Sequence, residues 1–246
     1  MTDGTTSRPG LGSAVLEVRA DVGEWKGLLV LGGVAALASV ALIVVQIGIY
    51  VIWPPPETTA AFYDLLIANP VHGLLALDLL YIVSNLLAYL LYFALAVVLW
   101  GVSRSAVVVA LAFGVLGMAA YMASPRPVEM LALAQAYRGA GAAEQVALRA
   151  VGDGMLATWM GTGFDVYYVF NLVTLLIFTI LMFRTTVFRR ATAIRGLVAA
   201  GLMAVPSNFG TVGLVFALGS LIPWAVFAVL VAVRLLRLSA APAFAP

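Results

Sequence analysis

The sequence predicts an all-α fold: a polytopic membrane helical bundle of six transmembrane helices, with one or two amphipathic interfacial helices in the third loop. Three observations predict it. The 246 residues are 64% hydrophobic and only 10% charged, with a mean hydropathy of +1.10, whereas a soluble domain carries roughly a quarter charged residues. The apolar residues gather in blocks of about 20 or more, the length that crosses ~30 Å of hydrocarbon; the short alternating strands of a transmembrane barrel are not visible in the sequence. Finally, the block over 71–100 places Asp78, Tyr81, Asn85, Tyr89 and Tyr92 at steps of three or four. At about 100° per residue these five fall within roughly 80° of arc on one helix face. Such a helix has one side unsuited to lipid, and the other helices are expected to pack around that side.

Residues 1–26 form a polar segment rich in Gly, Thr, Ser and Pro at its start, expected to be disordered there, with 13–26 able to form a short interfacial helix. Span one covers 27–52. It is longer than a signal-peptide core, so it reads as a retained helix, and Trp25 and Trp53 bracket it as interfacial anchors. Pro54, Pro55 and Pro56 end it, because proline supplies no amide proton and restricts the residue before it. An acidic loop over 57–70 holds a short amphipathic piece at 60–68, and span two follows over 71–100. A tight turn at 101–105 carries Arg104. Span three, 106–123, stops at Ser124-Pro125-Arg126-Pro127.

The stretch 128–162 is too long for a plain connection and too polar to span. Two helices are predicted there, 128–138 and 142–160, separated by Gly139-Ala140-Gly141. In the second, Glu144, Gln145, Arg149 and Asp153 share one half of the helix, and Val151, Met155 and Trp159 share a narrower stripe. A passive interfacial helix and a lid over a cavity are both compatible with that pattern. Span four is 163–183. After an arginine-rich stretch come span five, 193–210, where Pro206 either ends or kinks the helix, and span six, 211–233. The six-helix domain thus occupies 27–238, and an Ala/Pro tail follows over 239–246.

Basic residues orient the chain. With the N-terminus inside, the cytoplasmic segments hold Arg8, Arg19, Lys26, Arg104, Arg184, Arg189, Arg190, Arg195, Arg234 and Arg237, and the outside keeps Arg126, Arg138 and Arg149 in one long loop. The positive-inside rule then places both termini in the cytoplasm.

Polar groups within or beside the spans are the candidate site residues. Asp78 and Asp165 lie toward the outer ends of their helices. An ionised Asp costs about 2.5–3.5 kcal/mol at mid-bilayer on insertion scales and less near the interface. Asp78 could pair with Arg126, Arg138 or Arg149; alternatively, Asp78 and Asp165 could flank an outward-facing pocket that Tyr81, Asn85 and Tyr89 continue to mid-depth. In span four Asp165, Tyr168, Asn171 and Thr174 recur every three residues, which wraps half the helix. Tyr168 and Asn171 are the expected inward pair, either as inter-helix hydrogen bonds or as ligand contacts. His72, the single histidine, stands at the outer mouth. Frequent Gly and Ala read as helix-packing positions, and the Pro223-Trp224 pair in span six as a kink beside a tryptophan that packs or lines the cavity.

Several function classes are excluded by composition. There is no cysteine, hence no disulfide, thiolate metal site or cysteine nucleophile. A lone histidine cannot build a bis-imidazole haem or multi-histidine zinc site. Lys26 is the sole lysine and lies at the interface, which disfavours a retinal Schiff base. No Walker loop or dinucleotide glycine fingerprint occurs, and a net charge of +2 offers no surface for nucleic acid. No catalytic residue, metal or cofactor is predicted.

Three features together resemble a known family: Leu77-Asp78-Leu79-Leu80-Tyr81-Ile82-Val83-Ser84-Asn85; Gly161-Thr162-Gly163-Phe164 leading into Tyr167-Tyr168 after an amphipathic helix; and Leu236-Arg237-Leu238 after span six. They resemble the bacterial six-helix membrane family called domain of unknown function 4386. The resemblance implies six helices and a bacterial inner membrane location, and implies no activity. From the residues, the expected function is a non-enzymatic binding or transport-type protein in the lipid bilayer, with an outward-facing pocket for a small amphiphile, lipid or cation. An accessory or sensor subunit with a membrane-protein partner, and a membrane enzyme using Asp acid–base groups, are the alternatives.

Overall fold

The computed structural model describes residues 23–240, and among them every regular element is a helix. In chain order these are α1 (Lys26–Ile52), α2 (Thr59–Ala68), α3 (Pro70–Ala76), α4 (Leu79–Leu99), α5 (Arg104–Met122), α6 (Pro127–Gly139), α7 (Ala142–Trp159), α8 (Thr162–Met182), α9 (Arg190–Leu202) and α10 (Gly210–Ala240). Local chemistry sets many of the boundaries. The Thr58, Asn69 and Ser103 side chains accept hydrogen bonds from the first turns of α2, α3 and α5, satisfying amides that a helix start leaves free. Pro70 and Pro127 sit in the first turns of α3 and α6, where a missing N–H costs nothing. Gly210 opens α10 with a left-handed φ of 64°, which glycine adopts without penalty.

Among the described residues five helices are long and apolar enough to cross a membrane: α1, α4, α10, and the apolar runs of α5 and α8 within the longer stretches Arg104–Gly139 and Ala142–Met182. Large apolar side chains on their outer faces, such as Val44, Val108, Val212 and Ile222, are exposed, as befits helices of a multi-pass membrane protein.

Three expected boundaries are corrected. Span two is not continuous over 71–100: the helix stops at Ala76 and restarts at Leu79, because Asp78 takes a left-handed φ of 63°. Span five does not reach 210. The α9 helix has 13 residues, about 20 Å at ~1.5 Å per residue, and the chain leaves it before Pro206, which therefore follows the helix instead of kinking it. The helix of span six continues to Ala240, so Arg234 and Arg237, expected after the span, are still helical. The short interfacial helix expected over 13–26 falls almost wholly outside the described residues.

The six longer bundle elements form a ring in the order α4, α1, α10, α9, α8, α5, and α4 also touches α8 and α10 across it. Close backbone approach requires small residues at the seams. A Cβ on Gly32 of α1 would stand 2.8 Å from the Leu90 carbonyl oxygen of α4, and one on Gly33 would meet Leu236 of α10 at 2.8 Å. Gly114 of α5 makes room for the Tyr89 ring, and Gly117 for Phe170 of α8. Polar pairs add direction. Ser39 of α1 bonds the Ser84 carbonyl of α4 at 2.8 Å, and Gln46 bonds the Leu75 carbonyl at 3.1 Å.

Antiparallel neighbours bring Lys26, Arg104, Arg184, Arg189 and Arg234 to one end of the bundle, where Arg234 Nε donates to the Val187 carbonyl at 2.8 Å. The other end is covered by α2, α3, α6 and α7. This cap has its own apolar core of Phe62, Tyr63, Leu66, Leu77, Met130 and Ala134. Thr59 of α2 bonds Asp153 of α7, and Tyr63 donates to the Leu148 carbonyl at 2.8 Å. Burial, then the nearby Asp153 and Tyr137, raise the Tyr63 phenol above its ordinary pKa, so it stays protonated and donating through neutral pH.

The Gly32 contact makes the α1–α4 seam sensitive. Gly32→Val should drive a side chain into the Leu90 backbone and destabilise the fold by about 1–3 kcal/mol, read as a lower thermal midpoint in detergent. Gly48→Val, with open space around its Cβ position, should leave the midpoint unchanged.

Candidate functional site

Asp78 stands where the cap meets the bundle. The local sequence, Leu77-Asp78-Leu79, gives no glycine or proline to break the helix, yet the backbone turns left-handed there. That conformation costs an L-residue of this kind about 1–2 kcal/mol, and Asp is among the few that visit it. Three long-range hydrogen bonds hold it. Tyr50 of α1 donates to Oδ1 at 2.7 Å, and Oδ2 accepts from Trp159 Nε1 of α7 at 2.7 Å and from Tyr121 of α5 at 3.4 Å. The side chain is only 7% exposed. All three partners are uncharged, so the expected pairing with Arg126, Arg138 or Arg149 is replaced by hydroxyl and indole donors.

Below Asp78 lies a cavity of about 330 Å³, within the size range of small-molecule pockets. It sits among α4, α8 and α10, roofed by Trp159 and Met160 at the end of α7. Its origin is the shortness of α9. That helix stops at Leu202, and Met203 and Ser207 of the following connection line the space it leaves. The connection is tied to the roof by Asn208, which donates to the Met160 carbonyl at 2.9 Å.

Six of the eight residues predicted for the pocket line this cavity: Asp78, Tyr81, Asn85, Tyr89, Tyr168 and Asn171. The α4 stripe therefore faces inward. Tyr89 is 6% exposed and donates to the Leu111 carbonyl of α5 at 2.6 Å, while Asn85 accepts from Tyr167 of α8 at 2.6 Å. The other two lie outside the lining. Asp165, in the first turn of α8, does not meet Asp78 across a shared space, and its buried Oδ1 has no hydrogen-bond partner among the described residues. His72 is on α3, edge-on to Trp53 with ring centroids 5.7 Å apart. Among the described residues no three His, Cys, Asp or Glu side chains gather as a metal site would need.

Sequence reasoning missed the lining residues Tyr50, Tyr121 and Trp159 on other elements, and Tyr167 on α8 beside the predicted Tyr168. A signal existed for α1, where Ser39, Gln46 and Tyr50 at spacings of seven and four share one face. The stripe of Val151, Met155 and Trp159 on α7 also pointed one way; Met155 and Trp159 pack on the cap core, and Trp159 reaches Asp78. Tyr121 carries no such pattern.

The chemistry of the wall is uniform in one respect: among the described residues it contains one carboxyl group and no Lys, Arg or His. Aromatic rings supply most of its surface near Asp78. Tyr121 and Tyr167 have centroids 4.7 Å apart, Phe164 and Tyr168 5.0 Å, and Tyr50 and Tyr81 6.3 Å. Small residues, Ala88, Ala217 and Ser220, widen the deeper part toward Trp224. No family model, curated protein or solved structure matches the chain.

The Asp78 junction has a specific stability signature. Asp78→Ala removes three hydrogen bonds and leaves a poor left-handed former, at an expected cost of roughly 2–4 kcal/mol. Asp78→Asn keeps an acceptor and tolerates the backbone angle, so it should lose clearly less. Thermal unfolding of the two variants in detergent checks the order.

Proposed function

We propose that this chain is a non-enzymatic binding or transport-type membrane protein whose cavity holds a small amphiphile, lipid or cation. The observation that carries the reading is a cavity of about 330 Å³ with a buried carboxylate at one end and aromatic walls below it. A structural bundle has no need of such a space, because helix packing ordinarily fills its interior. The mixed lining suits ligands with an apolar body and one polar group.

In this reading α9 is the sixth crossing, completed by the connection over 203–209. The arginine end of the bundle is cytoplasmic and the cap faces outward, in the bacterial inner membrane that the family resemblance implies. The excess of Lys and Arg at the uncapped end supports that orientation. Entry to the cavity would pass beside Trp159 and the connection between α9 and α10.

Native mass spectrometry tests the binding claim. Wild-type protein should carry a discrete small-molecule adduct, and Ala217→Phe, which fills the cavity without touching Asp78, should lose it. Identical adduct-free spectra for both would overturn the reading. Because the chain has no cysteine, single cysteines test the topology. Arg138→Cys should react with a membrane-impermeant maleimide in intact cells, and Arg189→Cys should react only after lysis.

A further inference from the structure

We infer that the cavity selects a singly charged organic cation with an apolar tail, its head against Asp78 and its tail directed toward Trp224. The inference rests on the binding reading above and names the class of ligand.

The charge of the wall comes first. Among the described residues Asp78 is the sole acidic or basic side chain in the lining. Its three donors, Tyr50, Trp159 and Tyr121, orient the carboxylate and occupy three of about four acceptor positions. They are neutral, so no cationic side chain among the described lining residues faces the carboxyl group, and the head of a ligand can supply that partner. An anionic head would meet that carboxylate with no cation to offset it, which disfavours phosphate-bearing lipids and fatty acids.

The kind of cation follows from the other groups. A hard metal ion needs about six oxygen ligands, and one carboxylate that is already three-quarters occupied does not supply them. Aromatic faces instead attract large, weakly hydrated cations, and this attraction strengthens when water is excluded. Tyr81 is well placed for that role: it lies in the first turn of α4, three residues beyond Asp78, and lines the cavity.

The tail follows from the depth. Lining residues on α4 run from Tyr81 to Tyr92, about 16 Å at ~1.5 Å per residue, with Asp78 beyond the start of the helix. The deeper lining combines Ala88, Ala217, Leu221 and Trp224 with Ser220 and the rings of Tyr89 and Tyr92, which offers contact to an alkyl or aryl body and no second ionisable group.

Two probes with one tail and opposite heads test this. The full chain, in neutral detergent, is titrated with decyltrimethylammonium or decyl sulfate and read by native mass spectrometry. One equivalent of the ammonium should bind at least about tenfold more tightly than the sulfate, the scale of one interaction with a charged partner. Asp78→Asn should cut ammonium affinity by about tenfold or more with its folded state intact by thermal unfolding. Tyr81→Leu, which leaves the three donors of Asp78 in place, should cut it by about fivefold. Equal binding of both heads, lost together in Ala217→Phe, would overturn the charge selection and leave the pocket standing. Wild-type ammonium affinity in Asp78→Asn would also overturn it. Binding of neither probe would overturn the selection and count against the pocket.

Discussion

The carboxylate of Asp78 joins three helices that are remote in the chain. A buried charge of this kind is costly unless hydrogen-bonded, and the bonds must come from groups already held in place. Tyr50, Tyr121 and Trp159 are such groups: each sits at or near the C-terminal end of its own helix, and the three helices are different ones. The left-handed backbone at Asp78 is the geometric consequence, since it turns the side chain into the ring of donors and interrupts what would otherwise be one long helix. The cap and the bundle are thereby joined at one residue.

The cavity comes from a mismatch of helix lengths. Around the ring, α1, α4, α5, α8 and α10 run the depth of the bundle, while α9 stops after 13 residues. Its packed half is tight, with Gly196 set against Phe227 of α10. Its missing half leaves space against α4, and the aromatic side chains of α4 and α8 border that space without filling it. Close packing at the glycine seams and incomplete packing beside α9 therefore coexist in one bundle, the first giving stability and the second a place for a ligand.

Much of this was legible in the residues. The three-four spacing of Tyr81, Asn85, Tyr89 and Tyr92 reports a single inward face, because periodicity along one helix follows directly from 100° per residue; Asp78 reaches the same cavity from the break before that helix. Tyr168 and Asn171 were legible for the same reason, and the two cap helices were bounded by Gly139-Ala140-Gly141. Asp165 and His72 stand outside the cavity lining, because nearness along the sequence to a helix end does not fix nearness in space. Two carboxylates at the same end of a bundle share a cavity only if their helices are rotated toward it, and rotation about the axis of α8 is set by packing against α5 and α9.

Helicity, the approximate ends of most elements, the arginine-rich end and the wet flank of α4 were thus determined by the sequence itself, since each depends on residues within a few turns of one another. The tertiary structure alone decided that Asp78 breaks its helix, that Tyr50, Tyr121 and Trp159 complete its shell, and that α9 ends early enough to leave a cavity. Those partners lie 28, 43 and 81 positions from Asp78. No local pattern encodes such separations; they arise when helices settle at fixed distances and rotations against one another.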